Sequence, residues 1–246
     1  MIDRQFTEDR FAALYDLFHP WERRRDFAFY LSRVMSAGAV LDVGCGTGTL
    51  LHRARESGHS GRLVGLDPAS GMLTQARTRA DIEWVLGDLA SVSWDREFDL
   101  IVMTDHAFQE FIADDEVRVA LATIAAALAD GGRFAFETRN PRMRAWEQWS
   151  TDYAGEVTDA GGAVVRRATR VEAPVTGDVV RFTTTFTSPG WDRPQVSRGA
   201  LRFLDAGALA AFLSGAGLVI EEQFGDWDGQ PLTDTSPEII TIARKG

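Results

Sequence analysis

Val40-Leu41-Asp42-Val43-Gly44-Cys45-Gly46-Thr47-Gly48 is the stretch that decides how this chain folds. The apolar run 39–43 is short, bounded by glycine, and reads as a buried strand. Gly44, Gly46 and Gly48 follow as a tight turn in which no side chain keeps a ligand off the backbone. Behind the turn, residues 49–55 begin a helix. A strand that runs through such a turn into a helix N-terminus is a nucleotide-type pocket in many α/β proteins.

Outward from that stretch, strand and helix signals alternate. Residues 62–66 form a second strand that ends in Asp67-Pro68, and Ser70 is expected to cap a helix bearing Met72, Leu73 and Ala76. Residues 82–86 are a third strand ending in Gly87-Asp88, and 98–103 a fourth that leads into Thr104. Asp114 and Asp115 open a helix in which Val117, Leu121, Ile124 and Leu128 recur with helical period; Asp130-Gly131-Gly132 is expected to stop it. Residues 133–137 are a fifth strand. This alternation predicts an α/β fold, a parallel sheet with helices on both faces, whose ligands sit at the carboxyl ends of the strands. Gly44, Asp67, Asp88 and Thr104 all fall at such ends.

On the N-terminal side, Phe11, Leu14, Tyr15 and Phe18 share one helical face, and Phe27, Tyr30, Leu31 and Val34 another. Residues 1–37 therefore read as a helical cover. Beyond Pro141 the pattern changes. Residues 142–153 read as loop or short helix, and 163–171, 178–187 and 195–203 as antiparallel strands, so that 142–203 forms a small β insertion. Asp205 then caps a helix, and 218–224 and 239–243 supply two last strands. The Rossmann-like domain thus comprises 38–141 and 204–246.

Bulk properties narrow the function. A 246-residue chain with 45% hydrophobic and 25% charged residues is an ordinary globular composition. No apolar run nears the roughly 20 residues that span a bilayer, and the N-terminus lacks a signal-peptide layout; the expectation is a cytoplasmic protein without a membrane partner. A formal net charge of −10 disfavours nucleic acid. The one basic cluster, Arg23-Arg24-Arg25, reads as a solvated helix face. Cys45 is the sole cysteine, and His19, His52, His59 and His106 show no metal-ligand spacing, so neither a disulfide nor a metal is expected. A small-molecule partner fits best, with the chain a monomer or homodimer.

Two details select among nucleotide-like ligands. A carboxylate at the end of the second strand, Asp67, suits a ribose diol, as in dinucleotide-binding proteins too. The dinucleotide fingerprint, however, wants a third glycine where Thr49 stands; glycine falls instead at Gly48. Asp42, two residues before the turn, would repel a pyrophosphate and favour an ammonium or sulfonium.

Together with Asp67-Pro68-Ala69-Ser70-Gly71-Met72-Leu73, Gly87-Asp88-Leu89 and Phe98-Asp99-Leu100-Ile101, the stretch resembles the class I S-adenosylmethionine-dependent methyltransferases over roughly residues 10–140. The resemblance implies a seven-stranded, mostly parallel sheet with its last strand antiparallel, and S-adenosylmethionine as cofactor. It implies that Gly44, Cys45, Gly46 and Gly48 lie against the adenosine and methionine parts, and that Asp42 orders the methionyl amino group. Asp67 and Pro68 then face the ribose, Met72 packs on the adenine, and Gly87, Asp88 and Leu89 border it, with Asp88 accepting from its exocyclic amine. Met103 and Thr104 lie beside the methionyl chain, and Tyr15 reaches its carboxylate.

The inserted sheet resembles the lids of amino-sugar and glycine-type N-methyltransferases. The reaction so implied is direct displacement onto a small-molecule N or O acceptor. His106, after the fourth strand, is the candidate base, with Asp105 second. Arg139, Trp146, Trp149, Arg202 and Trp227, on flanking loops and the insertion, are candidate acceptor contacts. No Asn-Pro-Pro-Tyr-type motif follows the fourth strand, which disfavours a nucleobase or glutamine amide. The competing readings are a nicotinamide-dependent oxidoreductase and a non-catalytic methyltransferase-like binding module.

Overall fold

The computed structural model describes residues 3–246. A single turn, α1 (Arg4–Thr7), precedes α2 (Asp9–Phe18) and α3 (Arg25–Val34). The alternating part follows: β1 (Ala39–Val43), α4 (Thr49–Glu56), β2 (Arg62–Asp67), α5 (Ser70–Ala76), β3 (Glu83–Leu86), β4 (Phe98–Met103), α6 (Asp114–Ala127) and β5 (Leu128–Arg139). Next come α7 (Trp149–Asp152), β6 (Gly155–Thr158), β7 (Val164–Val171), β8 (Val179–Thr187) and β9 (Gln195–Arg202). The chain closes with α8 (Ala206–Gly215), β10 (Leu218–Phe224) and β11 (Glu238–Lys245).

Seven strands form one sheet in the order β10-β11-β5-β4-β1-β2-β3, in which β11 alone runs against its neighbours. Because β1 has β2 on one side and β4 on the other, the strand order reverses at β1, and a crevice opens at its carboxyl end. The period-2 alternation of β1 splits its side chains between two cores. Leu41 and Val43 pack with Val117, Leu121 and Ile124 of α6 and Leu209 and Leu213 of α8. Val40 packs on the other face with Phe27, Tyr30 and Val34 of α3 and Leu50 and Leu51 of α4. Asp42 shares the Val40 face, which places its carboxylate at the crevice.

The remaining strands make a four-stranded antiparallel sheet, β6-β7-β8-β9. Helix α2 lies between the two sheets. Its Phe11 and Leu14 pack with Val165 and Phe186 of the small sheet, while Ala12 packs with Ala69 and Met72 beside α5.

Three local expectations change. Helix α6 ends at Ala127, before Asp130-Gly131-Gly132, which lie within β5 next to a register shift. The last carbonyls of the helix, Ala126 and Ala127, accept from the amides of Arg96 and Glu97, so no glycine cap is needed. Ser70 is the first helical residue of α5 instead of its cap, since Asp67 Oδ1 takes the Ala69 amide at 2.8 Å. The small sheet has a fourth strand, β6, whose mostly exposed edge residues carry no apolar alternation to betray it.

Candidate active site

Each glycine of the turn has positive φ: 72° at Gly44, 55° at Gly46 and 78° at Gly48. Their surroundings differ. A Cβ at Gly48 would lie 2.4 Å from the Trp84 ring, and one at Gly44 3.0 Å from Ala107 Cβ, whereas at Gly46 it would meet nothing within 4 Å. Gly48 is thus required by packing, and Gly46 leaves open backbone.

Beside the turn lies a small cavity whose wall includes Tyr15, Asp42, Gly44, Cys45, Gly46 and Thr104. Asp42 is buried at its edge, and its Oδ1 has no hydrogen-bond partner. Burial, with the charge of Asp67 adding and that of Arg24 opposing, pushes its carboxyl up to about 7. Asp67 accepts from Gly46 N and from Ala69 N, each at 2.8 Å, and so ties the glycine turn to the start of α5. Burial raises its pKa despite those two bonds. An unpaired buried carboxylate beside open backbone fits a ligand with a cationic amino-acid end, so the residues present suit S-adenosylmethionine.

Other residues named for the cofactor lie farther along the crevice. Asp88 is exposed at the end of β3, with Oδ1 accepting from the amides of Ala90 and Ser91. Gly87 and Pro68 are half-buried at the ends of β3 and β2. Leu89 and Met103 belong to the core shared with α6. Met72 is buried beneath α2 with Ala12 and Tyr15 alongside.

A second, larger cavity of about 130 Å³ adjoins the first, and Tyr15, His19 and Asp105 line both. At this junction the Tyr15 hydroxyl donates to Asp105 Oδ2, and Arg24 Nη1 lies 3.2 Å from the same oxygen. Arg24 also pairs with Asp26, with Nε 2.9 Å from Oδ1. Burial would raise the Asp105 pKa; Arg24 above all, with the Tyr15 hydroxyl donating to it, outweighs that and holds the carboxyl well below its usual range. Arg24 is therefore no solvated residue of a helix face. The chain makes a 3-10 turn at Trp21–Arg23 before α3 starts, which turns Arg24 inward while Arg23 and Arg25 stay exposed.

Asp105 and His106 both take left-handed backbone, with φ of 56° and 62°. Such non-glycine strain, of order 1–3 kcal/mol per residue, persists where the surroundings over-determine it. Here the buried Glu137 of β5 accepts from His106 N at 2.8 Å, and Tyr30 donates to its other oxygen. His106 lines the larger cavity. Its Nε2 lies 2.9 Å from Glu238 Oε2 on β11, while its Nδ1 has no partner. A carboxylate partner puts the ring proton on Nε2 and leaves Nδ1 a lone pair.

Of the five residues named for the acceptor, Arg139 and Trp149 line the larger cavity. Three are set elsewhere by stronger local partners. Trp146 packs on the Phe203 ring at 4.7 Å. Arg202 is tied to Asp114 at 2.7 Å and Asp178 at 2.8 Å. Trp227 packs on Phe29 and Tyr30 of α3, where a half-buried apolar ring completes that side of the core.

The wall holds residues the sequence reading passed over: Glu110, Tyr153, Arg167, Thr169, Thr184 and Phe186. A signal for Arg167 existed. Val165, Arg167, Thr169 and Val171 share one face of β7, so a charge stands in line with inward residues. Among the described residues no group of three or more His, Cys, Asp or Glu is placed to hold a metal ion. No helix among them is long and apolar enough to cross a membrane.

Comparison with known proteins agrees with this geometry. A methyltransferase-domain family model matches residues 40–132. The chain is 28% identical to malonyl-(acyl-carrier protein) O-methyltransferase of Anoxybacillus flavithermus, and that match spans 58% of this chain and 56% of the relative. It is 30% identical to 2-phytyl-1,4-naphtoquinone methyltransferase of Thermosynechococcus vestitus, over 62% of this chain and 72% of that one. Similarity to the dTDP-3-amino-3,4,6-trideoxy-alpha-D-glucopyranose N,N-dimethyltransferase of Streptomyces venezuelae runs almost end to end, 29% identical over 90% of this chain and 95% of the other. The fold matches a crystal structure of an S-adenosylmethionine-dependent methyltransferase from Clostridium acetobutylicum with a TM-score of 0.74 at 16% identity, covering 97% of this chain and 98% of that one. Strand order, glycine turn and these relatives together make the chain a member of the class I S-adenosylmethionine-dependent methyltransferases, with S-adenosylmethionine as its methyl donor.

Proposed function

We propose that this enzyme methylates an amine nitrogen of a small molecule seated in the larger cavity. The observation that carries the reading is the junction of the two cavities at Tyr15, His19 and Asp105, next to His106, whose buried Nδ1 has no hydrogen-bond partner. The amino-sugar dimethyltransferase, a relative along nearly the whole length, supports nitrogen as the atom methylated.

When bound, the cofactor supplies a methyl group on a sulfonium, open to displacement by a lone pair. Asp42 would hold its amino group, Asp67 its ribose hydroxyls and Asp88 its adenine edge, with Gly46 giving the backbone clearance. The chain's further tasks are to align the acceptor nitrogen and keep water out, which proximity and orientation reward strongly. An amine that arrives as an ammonium must lose a proton first. His106 Nδ1 would take it, with Glu238 holding the ring. We read the enzyme as cytoplasmic and as a monomer or homodimer, and light scattering of the purified chain reads the latter.

Calorimetric titration with S-adenosylhomocysteine and NADH, followed by a panel of amines and alcohols with labelled S-adenosylmethionine, tests the reading. Saturable S-adenosylhomocysteine binding with label transferred to an amine is expected; transfer to alcohols alone would refute nitrogen, and NADH binding alone would refute the cofactor site.

Two alanine substitutions separate packing from ligand clearance. Gly48→Ala combines positive φ with a clash on Trp84 and is expected to lower stability by roughly 2–5 kcal/mol. Gly46→Ala carries only the backbone strain, about 1–2 kcal/mol, yet is expected to lose S-adenosylhomocysteine binding. Thermal melts and titrations of both variants check the contrast.

A further inference from the structure

Most partly buried arginines among the described residues are paired with a carboxylate, as Arg24, Arg55, Arg62, Arg79 and Arg202 are; Arg33, on the surface of α3 with a bond to Phe29 O, and the pair Arg139 and Arg167 are not. Arg139 and Arg167 are half-buried, line the same cavity, and have no carboxylate within 4 Å among the described residues. Their positions are nonetheless firmly held. Arg139 Nη1 donates to Gln109 Oε1 at 3.0 Å and Nη2 to the Tyr153 hydroxyl at 2.8 Å. Arg167 Nε donates to Tyr153 O at 3.0 Å and Nη1 to His19 Nε2 at 2.7 Å. Tyr153 therefore bridges the two guanidinium groups. All four of these contacts go to neutral groups: burial drives the His19 pKa down to about 4, leaving the ring uncharged and able to accept.

Each guanidinium has five N–H donors, and each spends two on these side-chain and backbone partners. The cavity's own acids leave the positive charge unmatched. Asp105 is committed to Arg24 and Tyr15. Glu110 lines the cavity from an exposed position and touches neither arginine. Around the two cations stand Phe18, Trp149, Phe182 and Phe186, apolar surfaces that strengthen a charge-assisted bond by excluding water. In a protein of net charge −10, a cavity with two unmatched cations selects for an anion.

We propose that Arg139 and Arg167 form an anion-binding subsite, so that the methyl acceptor carries a carboxylate or a phosphate at the end away from the transferred methyl. This rests on the larger cavity being the acceptor site. Arg202 has its charge matched by Asp114 and Asp178, whereas these two keep unmatched charge and N–H groups for a planar or tetrahedral oxyanion.

The test uses the protein saturated with S-adenosylhomocysteine and follows tryptophan fluorescence on titration with phenylacetate, its neutral partner phenylacetamide, and phenyl phosphate. At least one of the two anions is expected to bind about tenfold more tightly than the amide. Whichever does so distinguishes a carboxylate from a phosphate acceptor. Arg139→Met with Arg167→Met is expected to abolish that preference, and Arg139→Gln alone, which keeps a donor toward Tyr153, to reduce it. Equal affinity for anions and amide in the wild-type protein overturns the proposal, as does a preference that survives in both variants. Loss of S-adenosylhomocysteine binding in the wild-type protein would instead strike the functional reading beneath it, so the two failures are distinguishable.

Discussion

Replacing Asp42 by asparagine is expected to weaken S-adenosylhomocysteine binding by about 100-fold, while the ligand-free protein becomes no less stable. The two effects share one cause. Truncating one partner of a buried charge pair costs roughly 2–5 kcal/mol, and on the proposed reading Asp42 pairs with the ligand's ammonium group. Without ligand, its Oδ1 is a buried oxygen with no partner, so a neutral amide relieves the site. The sign of the pH dependence follows. Burial and Asp67 raise the folded-state pKa of Asp42 from 3.8 to about 7. The stability this group contributes to the ligand-free protein is therefore full below 3.8 and is lost as pH rises through about 7.

Binding an ammonium reverses the balance, because it requires the ionised carboxylate. Affinity should climb by up to about tenfold per pH unit between pH 5 and 7, then level off. Asp42→Asn should flatten that slope. Calorimetry across pH, with melts of the ligand-free proteins, measures both; an unchanged affinity or an intact slope in the variant would remove Asp42 from the cofactor site.

The second large effect is expected at His106. His106→Asn should lower kcat by about 10²–10³, within the range for general acid–base catalysis, with little change in S-adenosylhomocysteine affinity. Asparagine is chosen because it tolerates the left-handed backbone at φ 62° better than alanine does, which separates lost chemistry from a relaxed loop. Glu238→Gln tests the positioning role. It keeps a hydrogen-bond partner for Nε2 but no longer dictates which ring nitrogen carries the proton, so a milder loss of about tenfold is expected. Initial rates against pH, with the amine found in the acceptor panel, read the outcome. A kcat for His106→Asn within twofold of wild type would mean that the acceptor arrives already deprotonated.

Most of the strand-turn-helix half of the crevice was legible along the chain because its information is local. A strand, a turn needing positive φ at Gly44, Gly46 and Gly48, and a helix start are contiguous. The carboxylates Asp42, Asp67 and Asp88 sit at strand ends that a parallel sheet brings to one edge whatever the loops do. Errors on this half were small. A cap at Ser70 and a stop at Asp130-Gly131-Gly132 were displaced by hydrogen bonds from elsewhere, through Asp67 and through the amides of Arg96 and Glu97.

The larger cavity was poorly legible for the opposite reason. Its wall is assembled from α2, the segment after β4, the end of β5, α7 and the inner face of β7 and β8, so no window of sequence contains it. Large polar or aromatic side chains near a site were natural candidates. Yet Trp146, Arg202 and Trp227 were each claimed by a nearer ring or carboxylate. Arg24 was hidden in a basic triplet whose helical phase was broken by a 3-10 turn.

The sequence by itself thus determined the α/β class and the glycine turn at the end of its first strand, because glycine conformation and strand-end position are set within a few residues; the motifs around that turn carried the family resemblance that named the methyl donor. Only the tertiary structure decided which side chains line the larger cavity. It joined Tyr15 to Asp105 and His106 to Glu238, and it left Arg139 and Arg167 without carboxylates. Pairing across 90 or 132 residues depends on how two sheets and a helix pack, and a charge's partner is settled by distance in space.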